Sequence, residues 1–165
     1  MKVERTLVLI KPDGVERGIV GQIISRFEQA GLKIAGLKLT VIDQEFAKKH
    51  YTEDITKRRG EKVRNQMVEM LSSGPTIAVV LEGIESIPLV RKMVGATEPK
   101  AAEPGTIRGD FAHVSYGWAD AKGIGVRNVV HASSSQEDAN SEISLWFSET
   151  ELFSYTSVHD RHILG

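Results

Sequence analysis

Apolar positions change their spacing several times along the chain, and each change predicts an element. Thr6 to Ile10 is a short apolar run with a β-branched bias, stopped by Lys11-Pro12-Asp13-Gly14. It predicts a buried strand that ends in a turn. Val20, Ile23, Ile24 and Phe27 follow at helical spacing, with Gly31 placed to end the helix. Leu32 to Val41 alternates, with Gly36 breaking the phase, and predicts a second strand bulged at that glycine. Asp43 caps a short helix over Gln44 to Tyr51. Val63, Met67, Met70 and Leu71 form another helical stripe, ended by Gly74-Pro75. Thr76 to Leu81 predicts a third strand, and Ile87, Val90, Arg91 and Val94 a short helix.

From Gly95 to Gly125 the chain is glycine-rich and loses its period. A stretch this long without periodicity in a compact domain is usually functional or inserted. Val126 to His131 predicts a fourth strand. Ser134 with Glu137 fits a capping box for a last helix with Ala139, Ile143, Trp146 and Phe147 on one face. Residues 1–165 read as a single domain, with an inserted loop or hairpin over 112–125 and a peripheral tail over 156–165. The order fits an α+β, ferredoxin-like βαββαβ sandwich: a four-stranded, mainly antiparallel sheet with helices packed on it. A doubly wound parallel sheet is the competing arrangement, but it wants longer apolar strands and more repeats.

Composition narrows the function. The 165 residues hold no Cys, which excludes a disulfide scaffold, a thiolate metal site and a cysteine nucleophile. Lys and Arg number 21 against 22 Asp and Glu, so the basic excess usual in nucleic-acid binders is missing and anion binding has to be local. Neither a membrane-spanning run nor a signal peptide is expected, which makes a cytoplasmic protein the default.

Among the candidate chemical groups, His131 stands at a strand-to-helix junction, where free helical N–H groups favour anions. A hydrogen-bonded strand-end histidine is the alternative. Glu142 lies at the edge of the last helix's apolar stripe, and a carboxylate there needs a partner. If it held one imidazole nitrogen, the other would be free as a nucleophile. Solvation, or pairing with a cation, is the alternative. Lys11 ends the first strand; Arg91 sits among apolar residues; Arg108 lies between Gly105 and Gly109. Neither common nucleotide-binding glycine loop is present.

Three segments carry a resemblance. Thr6-Leu7-Val8-Leu9-Ile10-Lys11-Pro12-Asp13-Gly14-Val15 with Arg17-Gly18 resembles the opening signature of nucleoside diphosphate kinases. Pro104-Gly105-Thr106-Ile107-Arg108-Gly109-Asp110-Phe111 is similar to their second motif, and Asn128-Val129-Val130-His131-Ala132-Ser133, with Glu142 and Leu145-Trp146-Phe147, to the third. The resemblance implies a ping-pong phosphotransferase that moves the γ-phosphoryl group of a nucleoside triphosphate, mainly ATP, to nucleoside diphosphates. Carried over by position, His131 is the phosphorylated nucleophile, supported by Ser133 and Glu142. Lys11, Arg91, Thr97 and Arg108 form the phosphate-binding set, and Tyr51 and Asn128 lie near phosphates and sugar. Mg2+ arrives mainly through the nucleotide phosphates, with no metal ligand expected from the protein. The family forms dimers that assemble into tetramers or hexamers, so a homo-oligomer is expected, with no membrane or specific nucleic-acid partner. A ferredoxin-like domain that binds nucleotide without turnover is the alternative.

The chain departs from the usual pattern in four places. Ala132 stands where Gly follows the histidine, and Ser134 where an Asp is common. The aromatic usual after Tyr51 is missing, which leaves Val63 as the base-facing candidate. The 112–125 segment is longer than in short members and resembles the extended form of some archaeal and bacterial relatives.

Overall fold

A computed structural model describes residues 2–165. In chain order the elements are β1 (Val3–Ile10), α1 (Pro12–Glu16), α2 (Val20–Gln29), β2 (Lys33–Val41), α3 (Gln44–His50), α4 (Glu53–Arg59), α5 (Glu61–Leu71), β3 (Pro75–Ile84) and α6 (Ser86–Val94). They continue with α7 (Ile107–Phe111), α8 (Tyr116–Lys122), β4 (Val130–Ala132), α9 (Gln136–Trp146) and α10 (Asp160–Ile163). The strands form one sheet in the order β2-β3-β1-β4, and every pairing is antiparallel. This is the expected ferredoxin-like α+β arrangement.

Both faces of the sheet are covered. On one, Val8, Ile10, Val79 and Leu81 pack with Ile23 and Phe27 of α2 and Val90 and Val94 of α6. On the other, Leu7, Leu9, Ala78 and Val80 pack with Ala47 of α3, Leu71 of α5 and Trp146 of α9. The unbroken apolar run of β1 follows from this, because a strand buried on both sides has no polar phase. The β2–β3 register shifts between Ile34 and Gly36, as the broken alternation predicts.

Several local expectations need correction. Residues 112–125 contain neither a bare loop nor a hairpin: α8 forms there, with the Ser115 hydroxyl accepting from the Trp118 amide. At seven residues it is under two turns and buries only Ala119, so it carries no apolar stripe for periodicity to reveal. The fourth strand is shorter than Val126 to His131 because Val129 has φ +70°, a left-handed value that breaks strand geometry. The cap of α9 is Ser135, which accepts from the Asp138 amide, and not Ser134. The 156–165 tail stays at the surface, where Asp160 pairs with Lys33 at 3.3 Å and α10 brings Ile163 against the turn at Gly31.

Candidate active site

Most of the predicted site residues converge on one cavity of about 440 Å³ at the end of the sheet where β1 leaves and β4 enters. Lys11, Tyr51, Arg91, Thr97, Arg108, Asn128, His131 and Glu142 line it. They come from far apart in sequence. Lys11 ends β1, Tyr51 caps α3, Arg91 projects from α6, Arg108 sits in α7, and Glu142 sits in α9.

The strand that presents His131 begins with a strained turn. The Val130 amide donates to the Asn128 carbonyl at 2.7 Å across Val129, whose φ is +70°. That is a γ-turn of the rare positive-φ kind, held by a β-branched residue. Its surroundings fix it on every side. The Val129 amide donates to Asp13 Oδ2 at 3.0 Å, and the Lys11 amide donates to the Val129 carbonyl at 2.8 Å. Arg108 donates to the carbonyls of Val130 at 2.7 Å, Gly95 at 2.9 Å and Asn128 at 3.3 Å. The guanidinium expected only to bind phosphate therefore also clamps the turn, and part of its donor set is already engaged. Burial, with the Arg91 charge nearby, lowers its pKa to about 10.

Beyond the turn, His131 Nε2 lies 2.9 Å from Glu142 Oε1. Ser133 Oγ donates to Glu142 Oε2 at 2.6 Å, and the same hydroxyl accepts from the Leu7 amide at 3.2 Å. Both carboxylate oxygens are thus engaged and the acid is held from two sides. A carboxylate at Nε2 favours the tautomer with the proton there, so Nδ1 keeps its lone pair. Lys11 Nζ donates to Asn128 Oδ1 at 2.6 Å, while Asn128 Nδ2 donates to the Thr97 carbonyl at 2.8 Å. Burial and, after it, the Arg108 charge lower the Lys11 pKa to about 7, with Asp13 opposing both. The Tyr51 hydroxyl is buried without a partner, and burial pushes its pKa well above the ordinary phenol range.

Ser133 lies behind the cavity and acts through Glu142. Val63 does not line the cavity; Ile55, Arg58, Arg59 and Met67 form that wall instead. Helices α4 and α5 meet at Gly60, which has φ +90°, and this break turns the α4 side chains toward the cavity and leaves Val63 outside it. Arg59 also lies 5.9 Å from the Tyr116 ring, which links the mouth to α8. Sequence reasoning missed Asp13, Val129 and His50 as parts of the site. Asp13 and Val129 stand within the first and third motifs, and His50 lies outside all three. The conformation at Val129 has no sequence signal, because valine normally avoids it.

One ring nitrogen of His131 is held by a carboxylate, in a cavity that lysine and arginine side chains also line, an arrangement suited to transferring an anionic group. The comparisons with known proteins narrow this further. A family model described as nucleoside diphosphate kinase matches residues 4–152. A nucleoside diphosphate kinase of Borreliella burgdorferi is 47% identical over 156 residues, covering 94% of this chain and 93% of the relative. One of Pyrococcus abyssi is 51% identical over 158 residues, covering 95% and 92%. Among solved structures, a transition-state mimic of the Borrelia burgdorferi enzyme with bound vanadate and ADP has a TM-score of 0.96 at 44% identity, covering 98% and 97%. A Halobacterium salinarum enzyme in complex with CDP has a TM-score of 0.84 at 35% identity, covering 98% of each chain. The chain belongs to the nucleoside diphosphate kinase family.

The Lys11 environment gives a signed prediction. With a free-state pKa near 7, part of the lysine is neutral at neutral pH, and bound phosphate oxygens favour the charged form. Nucleotide binding at pH 8 should therefore take up about one proton per nucleotide, and affinity should weaken as pH rises above 7. Calorimetry in buffers of different ionisation enthalpy reads the uptake. Lys11→Met should abolish it; equal uptake in the variant would contradict the assignment.

Proposed function

We propose that His131 carries the phosphoryl group between the two half-reactions of this nucleoside diphosphate kinase. The observation that carries the reading is the Ser133–Glu142–His131 chain, which leaves Nδ1 as the free nitrogen inside a basic cavity. In the first half-reaction Nδ1 attacks the γ-phosphorus of a nucleoside triphosphate. The N–P bond forms, the P–O bond to the β-phosphate breaks, and the diphosphate leaves. In the second half-reaction the terminal oxygen of another diphosphate attacks the same phosphorus and restores the free histidine. Glu142 stabilises the charge that develops on the ring, since its Oε1 already accepts from Nε2. One site serves both halves because the two nucleotides meet the same cations in turn.

Lys11, Arg91 and the unengaged donors of Arg108 neutralise the phosphate oxygens, and Tyr51 Oη adds a donor that now has no partner. Asn128 anchors Lys11 and faces the sugar side, and Thr97 lines the phosphate end. Arg58, Arg59 and Ile55 form the mouth that takes the base, in the place first assigned to Val63. The site suits a metal brought by the substrate. Mg2+ prefers six oxygens, and the one group of His, Asp and Glu side chains near enough to share an ion among the described residues is His50, His131 and Glu142, two of them imidazoles. Mg2+ would be held through the nucleotide phosphates, where it would reduce their charge. A cytoplasmic location suits these substrates.

A homo-oligomer of dimers, tetrameric or hexameric, is supported by the sheet edge. β2 is an edge strand, and Leu37, Leu39 and Val41 stand exposed at alternate positions, Val41 by 70%. By cross-strand pairing with Val79 and Ile77, Leu37 and Leu39 share the face covered by α2 and α6 but extend past that cover. An exposed apolar edge of this kind invites pairing with a second copy.

Two measurements test these readings. Incubation with γ-labelled ATP and Mg2+ should put an acid-labile label on the wild-type protein that chases onto any nucleoside diphosphate. His131→Ala should take none, and labelling of that variant would sink the mechanism. For the assembly, the double variant Leu39→Lys, Val41→Lys should lower the mass seen by light scattering relative to wild type. An unchanged mass would place the interface elsewhere.

A further inference from the structure

His50 is a buried titratable group that the phosphoryl-transfer steps above do not use. It ends α3, lines the same cavity as His131, and is nearly sealed from solvent. The Trp146 indole N–H donates to its Nδ1 at 3.2 Å, which sets the tautomer with the proton on Nε2. That second nitrogen is buried and has no partner. The His50 ring meets the His131 ring nearly perpendicularly, with centroids 4.5 Å apart and planes at 84°, and it also packs edge-on against Tyr51 at 4.7 Å. Burial, with the neighbouring His131 and Lys11, holds its pKa well below the usual histidine value. It therefore stays uncharged and is unsuited to carry protons.

One hydrogen bond does not orient an imidazole fully. The Glu142 contact fixes where Nε2 sits, but the His131 ring, tethered at Cγ, can still rock about the axis from Cγ to that nitrogen. Such rotation would swing the Nδ1 lone pair away from the line of attack, and in-line displacement tolerates little misalignment. A rigid ring set perpendicular to His131 closes one side of that motion.

We propose that His50 is a positioning residue: its ring, anchored by the Trp146 N–H, packs against His131 and aims Nδ1 at the incoming phosphorus. The inference rests on His131 being the nucleophile. It assigns the two sides of His50 different duties: the ring face serves alignment and Nδ1 serves the anchor to Trp146.

Three substitutions separate those duties. His50→Ala removes both. His50→Asn retains an acceptor for the Trp146 N–H and removes the ring. His50→Phe retains a ring against His131 and strands the indole N–H. The readouts are the single-turnover rate of His131 labelling at saturating ATP, steady-state kcat and KM, and Tm. In His50→Ala and His50→Asn, labelling rate and kcat should fall about tenfold or more, as expected for lost alignment, with KM within about twofold and labelling still reaching the wild-type stoichiometry. His50→Phe should recover most of the lost rate while showing the lower Tm, and His50→Asn should keep a Tm close to wild type. Activity would then follow the ring and stability the anchor. The proposal is overturned if the rates of His50→Ala and His50→Asn match wild type, if rate follows Tm across the three variants, or if the loss lies in KM alone. Failure of the nucleophile reading would look different, since wild type itself would take no label on His131.

Discussion

The γ-turn at Val129 is the constraint on which the site depends. A valine at φ +70° is costly, on the order of 1–3 kcal/mol for such a conformation, and the residues around it are arranged to hold it. Asp13 takes its amide, the Lys11 backbone gives to its carbonyl, and Arg108 grips the carbonyls on either side. Through this one turn the first motif, the second motif and the histidine motif become a single structure. The turn ends the β1–β4 pairing at Ile10 and Val130, which leaves His131 opposite Leu9, on the face that α3 and α9 cover.

The turn also explains how basic residues sit buried in a chain of near-neutral charge. Lys11 and Arg108 have structural partners before any phosphate arrives: Asn128 for the lysine, three carbonyls for the arginine. Burial weakens their hold on protons, yet the cavity stays basic because Arg91 and the mouth residues Arg58 and Arg59 add to it. A site preorganised in this way needs little rearrangement when anionic oxygens enter, which is where electrostatic catalysis gains most. On the other side of His131, Ser133, Glu142, Trp146 and His50 form a second rigid support. His131 lies between a basic wall and a hydrogen-bonded one.

Much of this was legible in the sequence, for physical reasons. The apolar run of β1, the broken phase at Gly36 and the Asp43 cap each follow from local rules, and each appears in the fold. The inward direction of Glu142 could be inferred from helical spacing, and its partner is His131. What stayed hidden depends on tertiary contacts or on conformations that side chains do not announce. Helix α8 lacks an apolar stripe, so the 112–125 segment read as loop. Val63 is the candidate left by a missing aromatic, and composition does not show that α4 and α5 meet at Gly60 and turn Ile55, Arg58, Arg59 and Met67 to the cavity instead. Covering helices on the second sheet face, α3, α5 and α9, were each visible singly, but nothing in their spacing said that they share one face.

The central claim is that the geometry leaves Nδ1 of His131, and not Nε2, as the reactive nitrogen. Nitrogen-15 NMR of the phosphorylated protein, labelled at histidine, reads the position of phosphorus directly through its coupling to the ring nitrogens. The account predicts phosphorus on Nδ1, with Nε2 still protonated toward Glu142. Phosphorus on Nε2 would contradict it, because that nitrogen would have had to leave the carboxylate that the whole support exists to hold.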